Sequence, residues 1–219
     1  MDQIPTISVV CPTYNSEKFI IETLSTVLHQ TLSPLELIVS DDGSTDNTVS
    51  KVETFFKSCT GFHTHLIKNT HKGAGATRNA GILEARGDWV AFIDSDDIWE
   101  NEKLSKQLSF MIKNNHLFTY TNYSFFKSEN SKQNIKDIVP PKTFSFETFI
   151  KNTSILTSTM MIKKKAVENI KFNNTKICED YFFKCKILKK VNYAYCLSES
   201  LTKYRVRKDS LQSNKLRNI

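Results

Sequence analysis

Trp89-Val90-Ala91-Phe92-Ile93-Asp94-Ser95-Asp96-Asp97 is an apolar run that ends abruptly in three carboxylates within four residues. A strand that buries itself and then presents Asp94, Asp96 and Asp97 sets hard oxygen atoms at the rim of a sheet. Such carboxylates repel one another unless a cation is shared. The carboxyl ends of parallel strands are also where open α/β sheets bind ligands. Asp-x-Asp spacing suits a divalent ion gripping a diphosphate. The competing interpretation is a solvated loop in which Asp97 caps a helix, a position that favours Asp.

Similar clusters lie elsewhere. Leu35 to Ser40 forms another short apolar strand, followed by Asp41-Asp42-Gly43-Ser44-Thr45-Asp46. Gly43 permits a tight turn there. Ser44, Thr45 or Asp46 can cap a helix starting near Asn47. Far down the chain, Glu179-Asp180 precedes Tyr181-Phe182-Phe183. That pair is either a catalytic base or simply negative charge at a helix N-terminus, which stabilises any helix.

Working outward, the first half alternates strand and helix. Ile7 to Cys11 reads as a buried strand ending at Pro12. Ser16 should cap a helix over Glu17 to Gln30, with Phe19, Ile20, Leu24, Val27 and Leu28 on one face. Helices over Asn47 to Lys57 and Lys72 to Ala85 flank a strand at Phe62 to Lys68. Another helix covers Glu102 to Asn114. This rhythm predicts an α/β fold, a mostly parallel sheet with helices on both faces. The second half is less regular. Strands are expected at Leu117 to Phe126, Ile155 to Ile162, Tyr193 to Leu197 and Thr202 to Val206. Helices are expected at Phe144 to Ile150 and Glu179 to Lys190, with a polar loop at Ser128 to Pro141.

The 219 residues suffice for one sizeable domain, read here as a single unit over 1–219. No apolar run approaches a membrane span, and Met1 to Pro5 does not resemble a secretory signal. Cys11, Cys59, Cys178, Cys185 and Cys196 form no C-x-x-C pair and read as buried free thiols of a reducing cytoplasm. The net charge is +7, and residues 163–219 hold 15 Lys and Arg against 5 Asp and Glu. A basic third of this kind can meet an anionic membrane face or a pyrophosphate-bearing substrate. No nucleic-acid motif accompanies it, so no nucleic-acid partner is expected. His63 and His65 share one face of a strand and read as surface residues.

Several motifs fail. Gly73-Ala74-Gly75 begins like a dinucleotide fingerprint, but Arg78 stands at the third glycine position. There is no P-loop, no EF-hand spacing and no G-x-S-x-G elbow.

The ordered set of motifs resembles the family-2 inverting glycosyltransferases. Ile7 to Asn15 is similar to their opening strand, and Leu37 to Asp46 to their second motif. Gly75-Ala76-Thr77-Arg78-Asn79-Ala80-Gly81 is similar to their ARN-G segment. Gly87 to Asp97 resembles their metal-binding strand, and Cys178-Glu179-Asp180 their catalytic ED position. Tyr204-Arg205 with Ser210 resembles their terminal motif. The resemblance implies a GT-A fold, with a nucleotide-sugar half over about 1–97 and an acceptor half over about 98–219.

By matched position, Pro12, Thr13 and Tyr14 would border the nucleotide base, Asp42 would accept from the uracil imide, and Arg78 would lie on the same wall. Asp94, with Ser95 beside it, would reach the ribose or the metal, and Asp96 would be the main ligand of Mn2+ or Mg2+. Asp180, with Glu179, would supply the base. Arg207 stands where the family often has His, so a guanidinium would serve the diphosphate instead, or metal would bind less tightly. The implied partners are a UDP-sugar donor and a glycan or lipid-pyrophosphate acceptor, met in the cytoplasm or peripherally on the inner membrane face. A non-catalytic sugar-binding module and a cation-dependent nucleotidyltransferase are the alternatives.

Overall fold

The computed structural model describes residues 5–127, 134–175 and 178–207. Ser210, named above, lies outside the described residues. The elements in chain order are β1 (Ile7–Thr13), α1 (Ile20–Leu28), β2 (Glu36–Asp41), α2 (Thr48–Ser58), β3 (His63–Lys68), α3 (Ala74–Glu84), β4 (Trp89–Phe92), β5 (Ile98–Trp99) and α4 (Lys103–Lys113). The second half continues with β6 (Phe118–Phe126), β7 (Asn134–Ile138), β8 (Thr143–Phe144), α5 (Phe146–Phe149), a 3-10 turn (Thr157–Thr159), β9 (Met161–Lys163), α6 (Lys164–Val167), α7 (Glu179–Val191) and β10 (Ala194–Arg205).

One sheet runs through both halves in the order β3-β2-β1-β4-β9-β6-β10-β5. Strands β1 to β4 pair in parallel, β9 joins them antiparallel, and β6 and β10 are parallel to each other. The mixed α/β expectation holds. Alternation along the buried strands divides the core in two. Val9, Cys11, Leu37, Val39 and Ala91 face α1, α2 and α4. Val10, Ile38, Val90 and Phe92 face the other way, onto a cluster that includes Phe183, Ile187 and Leu188 of α7.

Helix α3 wedges between the two halves, and two glycines let it. A Cβ on Gly81 would lie 2.5 Å from Cγ1 of Val10, and one on Gly75 would lie 2.3 Å from the carbonyl of Asn173. Asn79 then locks the contact: its Nδ2 donates to the Phe172 carbonyl at 2.9 Å, and its Oδ1 accepts from the Phe172 N–H at 2.8 Å.

Some local expectations are corrected. Pro12 does not end β1 but sits inside it, opposite Ser40. Helix α1 starts at Ile20, and Ser16 gives it only a backbone carbonyl, because its hydroxyl is turned inward to Ser95. Asp46 is the residue that closes the start of α2, its Oδ1 accepting from the Thr48 N–H at 2.9 Å. Residues 134–138, expected in a loop, form an edge strand on β6. Of the expected strand over 155–162, Met161 and Ile162 belong to β9, and Thr157–Thr159 form a 3-10 turn before it. The two expected closing strands are one strand, β10, with shifts of register around Ser200. Cys11 and Cys196 are buried thiols, whereas Cys178 is exposed. His63 and His65 are on the surface, as their spacing suggests.

Candidate active site

The parallel strands β1, β2 and β4 deliver their carboxyl ends to one rim. At the end of β2, Asp41 is spent on the turn: its Oδ2 accepts from the N–H groups of Gly43 and Ser44. Asp42 points elsewhere and is buried. Its oxygens accept from the N–H groups of Lys72 (2.8 Å) and Gly73 (2.9 Å), and His71 Nδ1 lies 2.9 Å from Oδ2. His71 also packs against Tyr14, with ring centroids 4.4 Å apart. Tyr14 is 45% exposed and offers a flat face beside Asp42. Pro12 and Thr13, at the end of β1, are buried beneath it. Sequence reasoning found Tyr14 and Asp42 but missed His71, whose isolated position carried no spacing signal.

The rim after β4 is held by two guanidinium groups. Asp94 Oδ1 lies 2.7 Å from Nη2 of Arg78, and Asp96 Oδ2 lies 2.8 Å from Nε of Arg207. Arg207 also stands 5.3 Å above the ring of Phe19. Ser95 is turned inward, its hydroxyl 2.7 Å from that of Ser16. Burial pushes the Asp96 carboxyl up, Arg207 opposes this, and the neighbouring Asp94 adds to it. Asp97 is neither a ligand nor a solvated cap. It is fully buried, accepting from the Ser158 hydroxyl and the Arg205 N–H. Burial, with Asp96 and Asp94, pushes its carboxyl well above the usual range.

Arg78 carries the rim across to the start of α7. Its Nη1 donates to Glu179 Oε1 at 2.9 Å while Nη2 holds Asp94. Burial works against its charge, but the carboxylates of Asp94 and Glu179 keep it protonated. Glu179 is thereby committed to Arg78. Asp180, at the start of α7, pairs with Lys184 Nζ at 2.6 Å. Burial alone would raise its carboxyl, but Lys184, Arg78 and the Tyr181 N–H hold it well below the ordinary carboxylate range. Lys184 was missed in the sequence, although the i,i+4 spacing from Asp180 was there to be read.

Arg205, a residue of the terminal motif, is 1% exposed and knits the rim. Its Nε donates to the Asp96 carbonyl and its Nη2 to Glu22 of α1, both at 2.6 Å.

Among the described residues no three His, Cys, Asp or Glu side chains form a metal cluster. Asp94 and Asp96 still fit Mg2+ or Mn2+, because such ions commonly take one or two protein carboxylates and complete their shell with substrate phosphates and water.

The sequence pattern of Glycosyl transferase family 2 matches residues 8–171. The chain belongs to glycosyl transferase family 2. It is 35% identical over 215 residues to the UDP-Glc:alpha-D-GlcNAc-diphosphoundecaprenol beta-1,3-glucosyltransferase WfgD of Escherichia coli, covering 97% of this chain and 82% of that one. Staphylococcus aureus TarS (residues 1–349), solved with UDP-GlcNAc, superposes with a TM-score of 0.76 at 25% identity. The match covers 95% of this chain but only 60% of that TarS chain. The mannosyltransferase PcManGT of Pyrobaculum calidifontis, solved with GDP-Man and Mn2+, shares the fold at a TM-score of 0.74 and 19% identity, over 99% of this chain and 61% of its own. The chain is a glycosyltransferase with the GT-A fold. Membership sets aside the nucleotidyltransferase and the non-catalytic module.

Proposed function

We propose that this glycosyltransferase moves a sugar from a UDP-sugar to a hydroxyl of a lipid-diphosphate-linked glycan, with inversion. The observation that carries the reading is the charge chain Asp94–Arg78–Glu179, which sets the donor rim beside the start of α7, where Asp180 sits. WfgD, with its UDP-glucose donor and diphosphoundecaprenol acceptor, and TarS, with bound UDP-GlcNAc, support the substrate classes.

Tyr14 and Asp42 would receive the base, the ring stacking and the carboxylate accepting from the imide N–H. Asp94 and Asp96 would hold a divalent ion, which when bound supplies Lewis-acid neutralisation of the departing diphosphate. Arg207 lies beside Asp96 and would add positive charge at the same rim. The acceptor oxygen attacks the anomeric carbon as the bond to the diphosphate breaks, and the electron pair leaves with UDP. Asp180 takes the hydroxyl proton. One displacement inverts the centre without a carboxylate nucleophile.

The acceptor side also carries a basic stripe. Phe182, Lys186, Lys189 and Lys190 lie exposed along one face of α7, with Tyr193 beyond its end and Lys165 and Lys171 exposed nearby. Exposed Glu147 and Glu168 lie at its edge. Among the described residues no helix is long and apolar enough to cross a membrane. In this reading α7 lies against an anionic leaflet and presents Asp180 to an acceptor embedded there.

The test is transfer from UDP-glucose or UDP-GlcNAc to a lipid-diphosphate N-acetylglucosamine, followed by NMR of the product. Formation of an inverted glycoside supports the reading. A retained anomeric configuration, or use of GDP-mannose in preference to either UDP-sugar, overturns it.

A further inference from the structure

Lys184 is an unusual residue to bury. Only 2% of its side chain is exposed, while that of Asp180 is 26% exposed. A desolvated ammonium is costly unless it is paired. Lys184 reaches back one turn and places Nζ 2.6 Å from Asp180 Oδ2. The Thr157 hydroxyl approaches the same oxygen at 3.4 Å, and the Tyr181 N–H donates to Oδ1 at 2.9 Å. Arg78, from α3, is the other cation facing this carboxylate, and it is already engaged by Asp94 and Glu179. Asp180 also stands at the N-terminus of a helix, where negative charge is favoured.

We propose that Lys184 is the positioning residue for the base: its buried ammonium fixes the Asp180 carboxylate at the start of α7 and keeps it in the form that takes a proton. This rests on Asp180 being the base. Each carboxylate oxygen has two lone pairs, so these partners leave room for an acceptor hydroxyl. Two effects oppose each other. The pair holds the carboxylate ionised and oriented, and it also makes it a weaker base. The balance has a consequence for turnover. Once Asp180 takes the acceptor's proton, Lys184 faces a neutral acid in a buried site. The proton is therefore passed on to solvent, and the carboxylate is restored for the next cycle.

The experiment follows the Asp180 carboxyl carbon by 13C NMR in the full chain labelled at aspartate, the signal being assigned by its loss in Asp180→Asn. The wild type should show no titration down to about pH 4, near the ordinary aspartate value. Lys184→Met should raise the titration into the measured range above about pH 4, since desolvation is then opposed only by the more distant Arg78 and the Tyr181 N–H. Lys184→Arg should restore the wild-type behaviour. A folded Lys184→Met protein with an Asp180 signal as flat as the wild type's overturns the proposal. If Lys184→Met does not fold, Lys184→Gln is read in the same way. If neither folds, the Lys184 15Nζ resonance is compared in wild type and Asp180→Asn. A shift supports the pair, and an unchanged resonance overturns it. Transfer from UDP-glucose separates the two ideas. Normal turnover by Asp180→Asn defeats the base reading alone, and a flat Asp180 titration in folded Lys184→Met defeats the Lys184 role alone.

Discussion

The backbone N–H of Arg205 donates to Oδ1 of Asp97 at 3.0 Å, across 108 residues of chain. That bond ties the end of the last strand to the acidic rim of the first half. It explains why a third carboxylate stands after Asp94 and Asp96. Asp97 is a buried strut, fixed on its other oxygen by Ser158, and it keeps the two rim carboxylates at the surface of the sheet.

Asp180→Asn should lower turnover by roughly 10²–10⁴-fold, the usual contribution of a general base. It should also lower stability, by up to about 3–5 kcal/mol, because Lys184 is left buried without its counter-ion. The double variant Asp180→Asn/Lys184→Gln should recover the melting temperature and not the turnover. The sign with pH follows. The folded-state value of Asp180 is depressed, so the pair stabilises above about pH 4, the unfolded value, and that contribution is lost on acidification. Melting curves of the variants from neutral to acid pH check both statements.

Asp96→Asn should weaken metal-dependent nucleotide binding while leaving the fold intact, since Asp96 sits at the rim and its ion pair is with half-exposed Arg207. Calorimetry of UDP with manganese and with chelator reads this out. Equal wild-type affinity in the two conditions would argue against a metal at this rim.

Asp42→Ala removes the acceptor for two backbone N–H groups as well as the proposed reader of the base. Lys72 is exposed and Gly73 half-buried, so water takes over part of both bonds and the cost stays below the roughly 1–3 kcal/mol of a fully buried donor. Affinity for UDP should fall, and preference over CDP should relax. Competition by CDP as strong as that by UDP in the wild type would sink the assignment.

Gly75→Ala is a case where magnitudes decide the sign. Within a helix the change should stabilise by roughly 0.5–1 kcal/mol. Here the new methyl would meet the Asn173 carbonyl at 2.3 Å, which is backbone and cannot swing away. Overpacking of this kind costs about 1–3 kcal/mol. The melting temperature should therefore drop, and a rise would show that the 173 segment yields freely.

Replacing Lys186, Lys189 and Lys190 with Gln should release the chain from vesicles containing phosphatidylglycerol. Each basic residue near such a surface contributes on the order of 1 kcal/mol, and the effect fades with salt. Co-sedimentation indifferent to salt, to anionic lipid or to these substitutions would remove the membrane-facing role of α7.

The strand ends of the first half were legible because each short apolar run stops at an acidic turn, and the parallel alternation leaves little freedom in where those turns go. Strand β7 was not legible. Asn134 to Ile138 is an edge strand that among the described residues pairs only with β6, and it lacks the apolar run of a central strand. Strand β10 read as two because Ser198, Glu199 and Ser200 are exposed and polar, where its pairing with β6 shifts register. The roles of Arg205, Ser158 and His71 depend on contacts between distant parts of the chain. No local pattern announces them. Lys184 is the exception, since its spacing from Asp180 places both on one helical face.

The seam along α3 limits how this glycosyltransferase can work. A clamshell needs a hinge, with a gap that opens and shuts as substrates come and go. Here the seam is pressed at Gly75 and Gly81, stitched by Asn79, and riveted by Arg78 between Asp94 and Glu179. Prising it apart would strand a buried guanidinium between separated carboxylates. The jaws are thus set before either substrate arrives. Admission and release fall to side chains and loops at the mouth, and the spacing between Asp94 at the rim and Asp180 at the start of α7 is written into the fold.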